Sequence, residues 1–127
     1  VRAAADRFLV AFDNLDWETF RASWSASPSA FFPFPDTPGR VTGKAEVERR
    51  FQTFFEAVRA NQPGPPYLHL DPRELEVQTF GDSALVTFML VNERRTARRS
   101  LLFARESTGW KLVHLHASNM EQQGTSE

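Results

Sequence analysis

With 127 residues, no cysteine and a formal net charge of −1, the chain has neither disulfides nor thiolate metal sites open to it, and no overall basic charge to draw a polyanion. No stretch approaches the roughly 18 consecutive apolar residues of a membrane span. Twelve Phe and three Trp make the expected core aromatic, and a chain of this length buries about two thirds of its unfolded surface around one core. Thirteen Arg against two Lys, with no Ile, suit a GC-rich bacterial source. The lack of Cys suits a reducing, cytoplasmic setting, and the start at Val1 rather than Met is read as a sign that upstream residues are missing.

The first 60 residues read as helical. Ala5, Phe8, Leu9 and Phe12 fall at i, i+3, i+4 and i+7 and form an apolar stripe. After a break at Asp13-Asn14, Asp16 is placed to cap a second helix, with Leu15 and Phe20 as a hydrophobic staple. Trp17, Phe20 and Trp24 then share a helical face, Ser27-Pro28 ends it, and Ala30-Phe31-Phe32 reads as a short strand. A proline-stiffened loop over residues 33–39 follows. The third helix opens near Thr42-Gly43, carries Val47, Phe51, Phe54, Phe55 and Val58 as a wide apolar stripe, and ends before Pro63.

From there the period changes to two. Leu68 and Leu70, then Leu75 and Val77, lead to a hairpin at Gly81-Asp82. Residues 84–91 are almost continuously apolar, the pattern of a strand covered on both faces, and residues 93–97 read as a polar tip. Residues 100–104 form the next strand, and Ser107-Thr108-Gly109 turns into the last one. Helices followed by an antiparallel meander give an α+β fold, three N-terminal helices packed in a strongly curved sheet. Residues 1–120 are expected to form this one domain, and residues 121–127 a polar, fraying tail.

Three segments carry a resemblance: Thr42-Gly43-Lys44-Ala45-Glu46-Val47, Phe80-Gly81-Asp82-Ser83-Ala84, and Gly109-Trp110-Lys111-Leu112-Val113-His114-Leu115-His116-Ala117-Ser118. Together they resemble the nuclear transport factor 2-like superfamily, and within it the SnoaL-like proteins and the association domain of calcium/calmodulin-dependent protein kinase II. The resemblance implies a cone of curved sheet wrapped around helices, with a pocket at its wide end and dimerisation through the sheet's outer face. Fold membership leaves the activity open, so the pocket positions decide.

Steroid isomerases of this superfamily resemble a template with a Tyr and a protonated Asp as oxyanion hole and a second Asp as proton carrier. Against that template, Phe8, Leu101 and Phe34 fall on the three positions. None can donate to an enolate or accept a proton, so that chemistry is removed. Asp36, two residues beyond Phe34, is the one candidate displaced base; its ordinary role beside Pro and Gly is to form a turn. The kinase association domains resemble a second template with arginines lining the pocket to bind carboxylates or peptides. Those arginines fall on Leu90 and Ala117 here, and a one-residue choice of register decides whether Arg98 or Arg99 supplies a guanidinium instead.

The expected pocket lining is therefore mostly apolar. From the helices and the proline loop it takes Phe8, Phe12, Phe32, Phe34 and Phe54. From the sheet it takes Val86, Phe88, Leu90, Val113 and Leu115, with Tyr67 and Asn119 as polar contacts near the mouth. The same residues also suit a cone filled by its own core.

His114 and His116 have the spacing of a metal-binding pair on a strand, and His69 is available as a third ligand, but no further histidine follows. Strand alternation instead turns both toward the face opposite Val113, Leu115 and Ala117. Trp110, Leu112, His114, His116 and Ser118 then make up a half-buried sheet face or dimer interface. The run Arg94, Arg95, Arg98, Arg99 reads as a solvated tip, since no aromatic residues interleave with it for nucleic-acid stacking. No metal, cofactor, nucleic acid or membrane is expected. The expected function is a homodimer whose pocket binds a small hydrophobic molecule. Alternatives are an association module with a filled cone, and an isomerase- or cyclase-type enzyme with a non-standard base.

Overall fold

In a computed structural model that describes residues 1–121, three helices lie in the concave side of one six-stranded sheet. The helices are α1 (Arg2–Asn14), α2 (Trp17–Ala22) and α3 (Lys44–Asn61); the strands are β1 (Trp24–Phe31), β2 (Val41–Thr42), β3 (Arg73–Phe80), β4 (Ser83–Val91), β5 (Arg95–Glu106) and β6 (Gly109–Glu121). The sheet order is β2-β1-β6-β5-β4-β3. All neighbours are antiparallel except β1 and β6, which run parallel.

Local sequence accounts for most of the boundaries. Helix α1 ends at Leu15, which adopts φ 52° and donates its N–H back to the last turn. The Asp16 side chain accepts the Thr19 N–H at 3.4 Å and so caps α2. Gly43, at φ 95°, leads into α3, and Gly81, at φ 63°, makes the β3–β4 turn where a side chain would be strained.

Four expectations about elements are corrected. Helix α2 stops at Ala22, and Trp24 opens β1, so the helical spacing of Trp17, Phe20 and Trp24 reflects convergence on one core from two elements. Ser27-Pro28 does not end a helix but lies inside β1, where the register against β6 shifts between Trp24 and Ser29; a proline is tolerated where ladder pairing is interrupted. Leu68 and Leu70 sit in a non-strand segment tied to α1, the N–H groups of Tyr67 and Leu68 donating to the Asp13 carbonyl and that of Leu70 to its carboxylate. Strand β5 begins at Arg95, so the polar tip shrinks to residues 92–94.

The core is aromatic and concentrated toward the narrow end. Phe20 is the hub, with ring centroids 5.0 Å from Phe8, 4.8 Å from Phe51 and 5.0 Å from Phe55. Strand β4 alternates strictly: Ala84, Val86 and Phe88 are buried, whereas Leu85, Thr87 and Met89 on the outer face are only half-buried. In one copy of the chain, then, β4 is not covered on both faces. Glu121 closes β6 and approaches Arg95 at 3.6 Å, so it is strand rather than tail; the rest of the expected tail lies outside the described residues.

Candidate functional site

A one-residue irregularity in β6 sets the site's geometry. Phe103 pairs with Leu112 and Leu102 with His114, leaving Val113 as the unpaired extra residue of a bulge. The bulge lets Leu112 point inward with Leu115 and Ala117 although their spacing is odd. Leu112 is 0% exposed, inside the core, which removes it from any surface interface. Trp110 goes with it: half-buried against the core, its ring lies 4.9 Å from the Arg105 guanidinium. Val113, expected in the pocket, sits at the bulge and does not line the cavity.

His114, His116 and Ser118 stand on the outer face, as alternation requires. Ser29 Oγ and His114 Nδ1 are hydrogen-bonded at 2.8 Å, and the Phe31 ring lies 5.7 Å from His114 and 5.4 Å from His116. The Arg40 guanidinium lies over the Phe31 ring at 5.2 Å. Burial, then the neighbouring His116 and Arg40, hold the His114 pKa below its usual value, so the neutral imidazole is favoured. His69 lies in the segment before β3, far in the chain from this pair, and among the described residues no group of three His, Asp or Glu is placed to hold a metal ion.

The interior of the cone holds a cavity of about 230 Å³ between α1, α3, the proline loop and the inner faces of β5 and β6. Phe12, Phe32, Phe34, Phe51 and Phe54 wall one side; Leu115, Ala117 and Asn119 form the floor. Phe34 stacks on Phe32 at 5.7 Å and on Phe54 at 6.2 Å, so the loop 33–38 delivers an aromatic plug to the cavity's edge. The remaining expected lining lies elsewhere. Phe8, Val86 and Phe88 are buried in the solid part of the core, Leu90 packs against it, and Tyr67 sits under the Arg59 guanidinium at 5.5 Å.

Arg99 answers the question of register left open by the sequence. It pairs with Phe88 on one side and Ala117 on the other, both inward residues, so it enters the cavity while Arg98 points out. Arg95, four residues earlier, borders the cavity on the same face. Arg99 is therefore not a solvated tip residue, whereas Arg95 stays exposed at the rim. The signal was present in the sequence: Arg99 stands two and four residues before the inward Leu101 and Phe103. Arg99 Nη1 donates to the Arg98 carbonyl at 3.0 Å and, at 3.3 Å each, to the Ser118 carbonyl and Asn119 Oδ1. Burial, and to a lesser degree Arg95, lower its pKa from the usual guanidinium value.

Asp36 does not reach this cavity. It borders an outer groove of about 550 Å³ between the loop and α3, which shares Phe34 and Phe54 with the inner cavity. There its carboxylate accepts from Thr37 Oγ1 at 3.1 Å, and Thr37 in turn accepts from Arg50 Nη1 at 3.2 Å. The isomerase-template positions remain unable to handle protons: Phe8 and Leu101 are packed in the core, and Phe34 presents a phenyl ring.

Solved structures with this architecture include a candidate dehydratase of the NTF2-like family from Streptomyces avermitilis, 24% identical, covering 93% of this chain and 91% of that one at a TM-score of 0.75. The CaMKII hub of S. rosetta is 23% identical over 93% of this chain and 92% of its own, at 0.70. A candidate ketosteroid isomerase from Parabacteroides distasonis is 19% identical over 87% and 80%, at 0.63. At these identities the likeness is one of fold. No curated protein matches the chain in sequence. Residues 1–122 match the SnoaL-like domain profile, and the chain belongs to that family.

Proposed function

We propose that this SnoaL-like domain binds a small, mostly apolar molecule inside its cone, and that two copies associate through the outer face of the sheet. The cavity of about 230 Å³ walled by five phenylalanines carries the first half. Interiors ordinarily pack to the density of organic crystals, so a void of this size behind an aromatic wall and a loop-borne plug has the form of a ligand site. Phe31 and the exposed Leu102 and Met120, with half-buried Leu85 and Met89 between the strands, support the second half. The likeness to the CaMKII hub supports an association module as the second reading, with the same face as its working surface.

A screen of small aromatic fragments by NMR chemical shift tests the first half. Fragments are expected to perturb Phe54, Ala117 and Asn119; a screen with no hit in the cavity at millimolar concentration contradicts it. Light scattering on Leu102→Asp tests the second. A dimeric parent and a monomeric variant are expected, and an unchanged mass on substitution contradicts the outer-face interface.

A further inference from the structure

We infer that Thr37 and Arg50 are positioning residues: they hold the Phe34 ring as a fixed wall of the inner cavity and so confine its ligand to about one aromatic ring with a short chain. This rests on the cavity reading above and adds what sets the ligand's upper size. Phe34 borders both the inner cavity of about 230 Å³ and the outer groove of about 550 Å³, as Phe54 does. The two rings stack at 6.2 Å between these spaces. Were Phe34 to leave, the spaces would run together.

No helix or strand fixes Phe34, since residues 32–40 lie between β1 and β2. With open volume on both sides, packing alone does not fix it either. Pro33 and Pro35 narrow its backbone choices, and the Thr37 N–H closes a turn on the Phe34 carbonyl at 3.0 Å. Thr37 is only 6% exposed, and its hydroxyl works in both directions. It donates to the Asp36 carboxylate at 3.1 Å and accepts from Arg50 Nη1 at 3.2 Å, which ties the turn to α3. Arg50 and Phe54 stand four residues apart on α3 and share a face. The loop is therefore held at two points one helical turn apart, guanidinium on hydroxyl and ring on ring.

Arg50 reaches Thr37 at a cost. Its Nε is buried and has no acceptor among the described residues, a penalty that an arginine escapes by staying in water. Arg49, the next residue, does stay exposed and pairs with Glu46 at 2.7 Å. The tether matters because of the size of the space behind it. An apolar cavity of about 150 Å³ accepts benzene, so 230 Å³ suits one ring with a short chain, whereas a second ring in line with the first enters the space that Phe34 closes.

Calorimetric titration of the full chain with two neutral probes, 3-phenylpropan-1-ol and 4-phenylphenol, tests this. The parent is expected to bind the one-ring alcohol about tenfold more tightly than the two-ring phenol, because the phenol has to displace a held wall. Thr37→Val, which keeps the shape and loses the hydroxyl, and Arg50→Met should each bring the two affinities within about twofold by strengthening the phenol alone. Thr37→Ser, which keeps the hydroxyl, should behave as the parent. Phe34→Ala, with no wall to hold, should lose the preference altogether. A preference that survives Thr37→Val and Arg50→Met, or both probes weakened alike by them, overturns the tether. Equal binding of the two probes by the parent, or a preference that survives Phe34→Ala, overturns the wall and leaves the cavity standing. Binding of neither probe overturns the cavity reading as well.

Discussion

The two ends of the cone are built from the same material and differ in how it closes. At the narrow end Phe8, Phe20, Phe51 and Phe55 meet at centroid distances near 5 Å, with Phe20 touching the other three. At the wide end Phe12, Phe32, Phe34 and Phe54 border a void that Phe51 also lines; Phe32 lies 5.1 Å from Phe51, and the other neighbouring pairs stand 5.7 to 6.2 Å apart. Two things differ between the ends. The wide end receives two rings, Phe32 and Phe34, from the segment around Pro33 rather than from a helix, and it contains a guanidinium. A guanidinium hydrogen-bonded to β6 keeps its polar neighbours about it, whereas rings alone close on each other. The hollow in this phenylalanine-rich core thus lies where Arg99 enters it.

The largest effect that sharpens this contrast is in stability. Phe20→Ala should cost about 3–5 kcal/mol by chemical denaturation, because its neighbours on every side lose contact. Phe54→Ala should cost only about 1–2 kcal/mol, since that ring already borders empty space. Equal losses would mean that the wide end is packed as tightly as the narrow one. Next in size, Arg99→Met should stabilise the chain by about 1 kcal/mol, since an apolar side chain of similar reach replaces a half-buried charge. A marked destabilisation would instead make the hydrogen bonds of Arg99 to β6 its purpose.

The smallest effect concerns the outer face. His114 titrates below the usual 6.5, chiefly through burial. The unfolded chain therefore takes up the proton first, and stability falls as pH drops from about 6.5 through the lower folded value. Denaturation midpoints at pH 7.5 and 5 should show this loss, and His114→Asn should shrink it. A variant with the same pH slope as the parent would place the titration elsewhere.

Much of this architecture was legible in the sequence because it is local. The stripe of Ala5, Phe8, Leu9 and Phe12, the Asp16 cap and the Gly81 turn each depend on neighbours within a few residues. What escaped depends on distant partners. Trp24 follows Trp17 and Phe20 at helical spacing, yet it is a strand residue because β6, more than 80 residues away, provides a parallel ladder. The Val113 bulge is likewise invisible in a pattern that alternates cleanly from Trp110 to Ser118. One extra residue exchanged the faces of Trp110 and Leu112 and left those of the histidines unchanged. The cavity itself was half legible: Phe12, Phe32, Phe34, Phe54, Leu115 and Asn119 line it, while its charge hung on the register of Arg98 and Arg99.

The central claim, that the wide end is a binding site for a small apolar molecule, is tested most directly by following the ring protons of Phe34 and Phe54 and the Asn119 side-chain amide while a small aromatic fragment is added. All are expected to shift together and saturably, while His114 and His116 stay unmoved. Shifts confined to the outer face, or none at Phe34 and Phe54 at millimolar fragment, would contradict it.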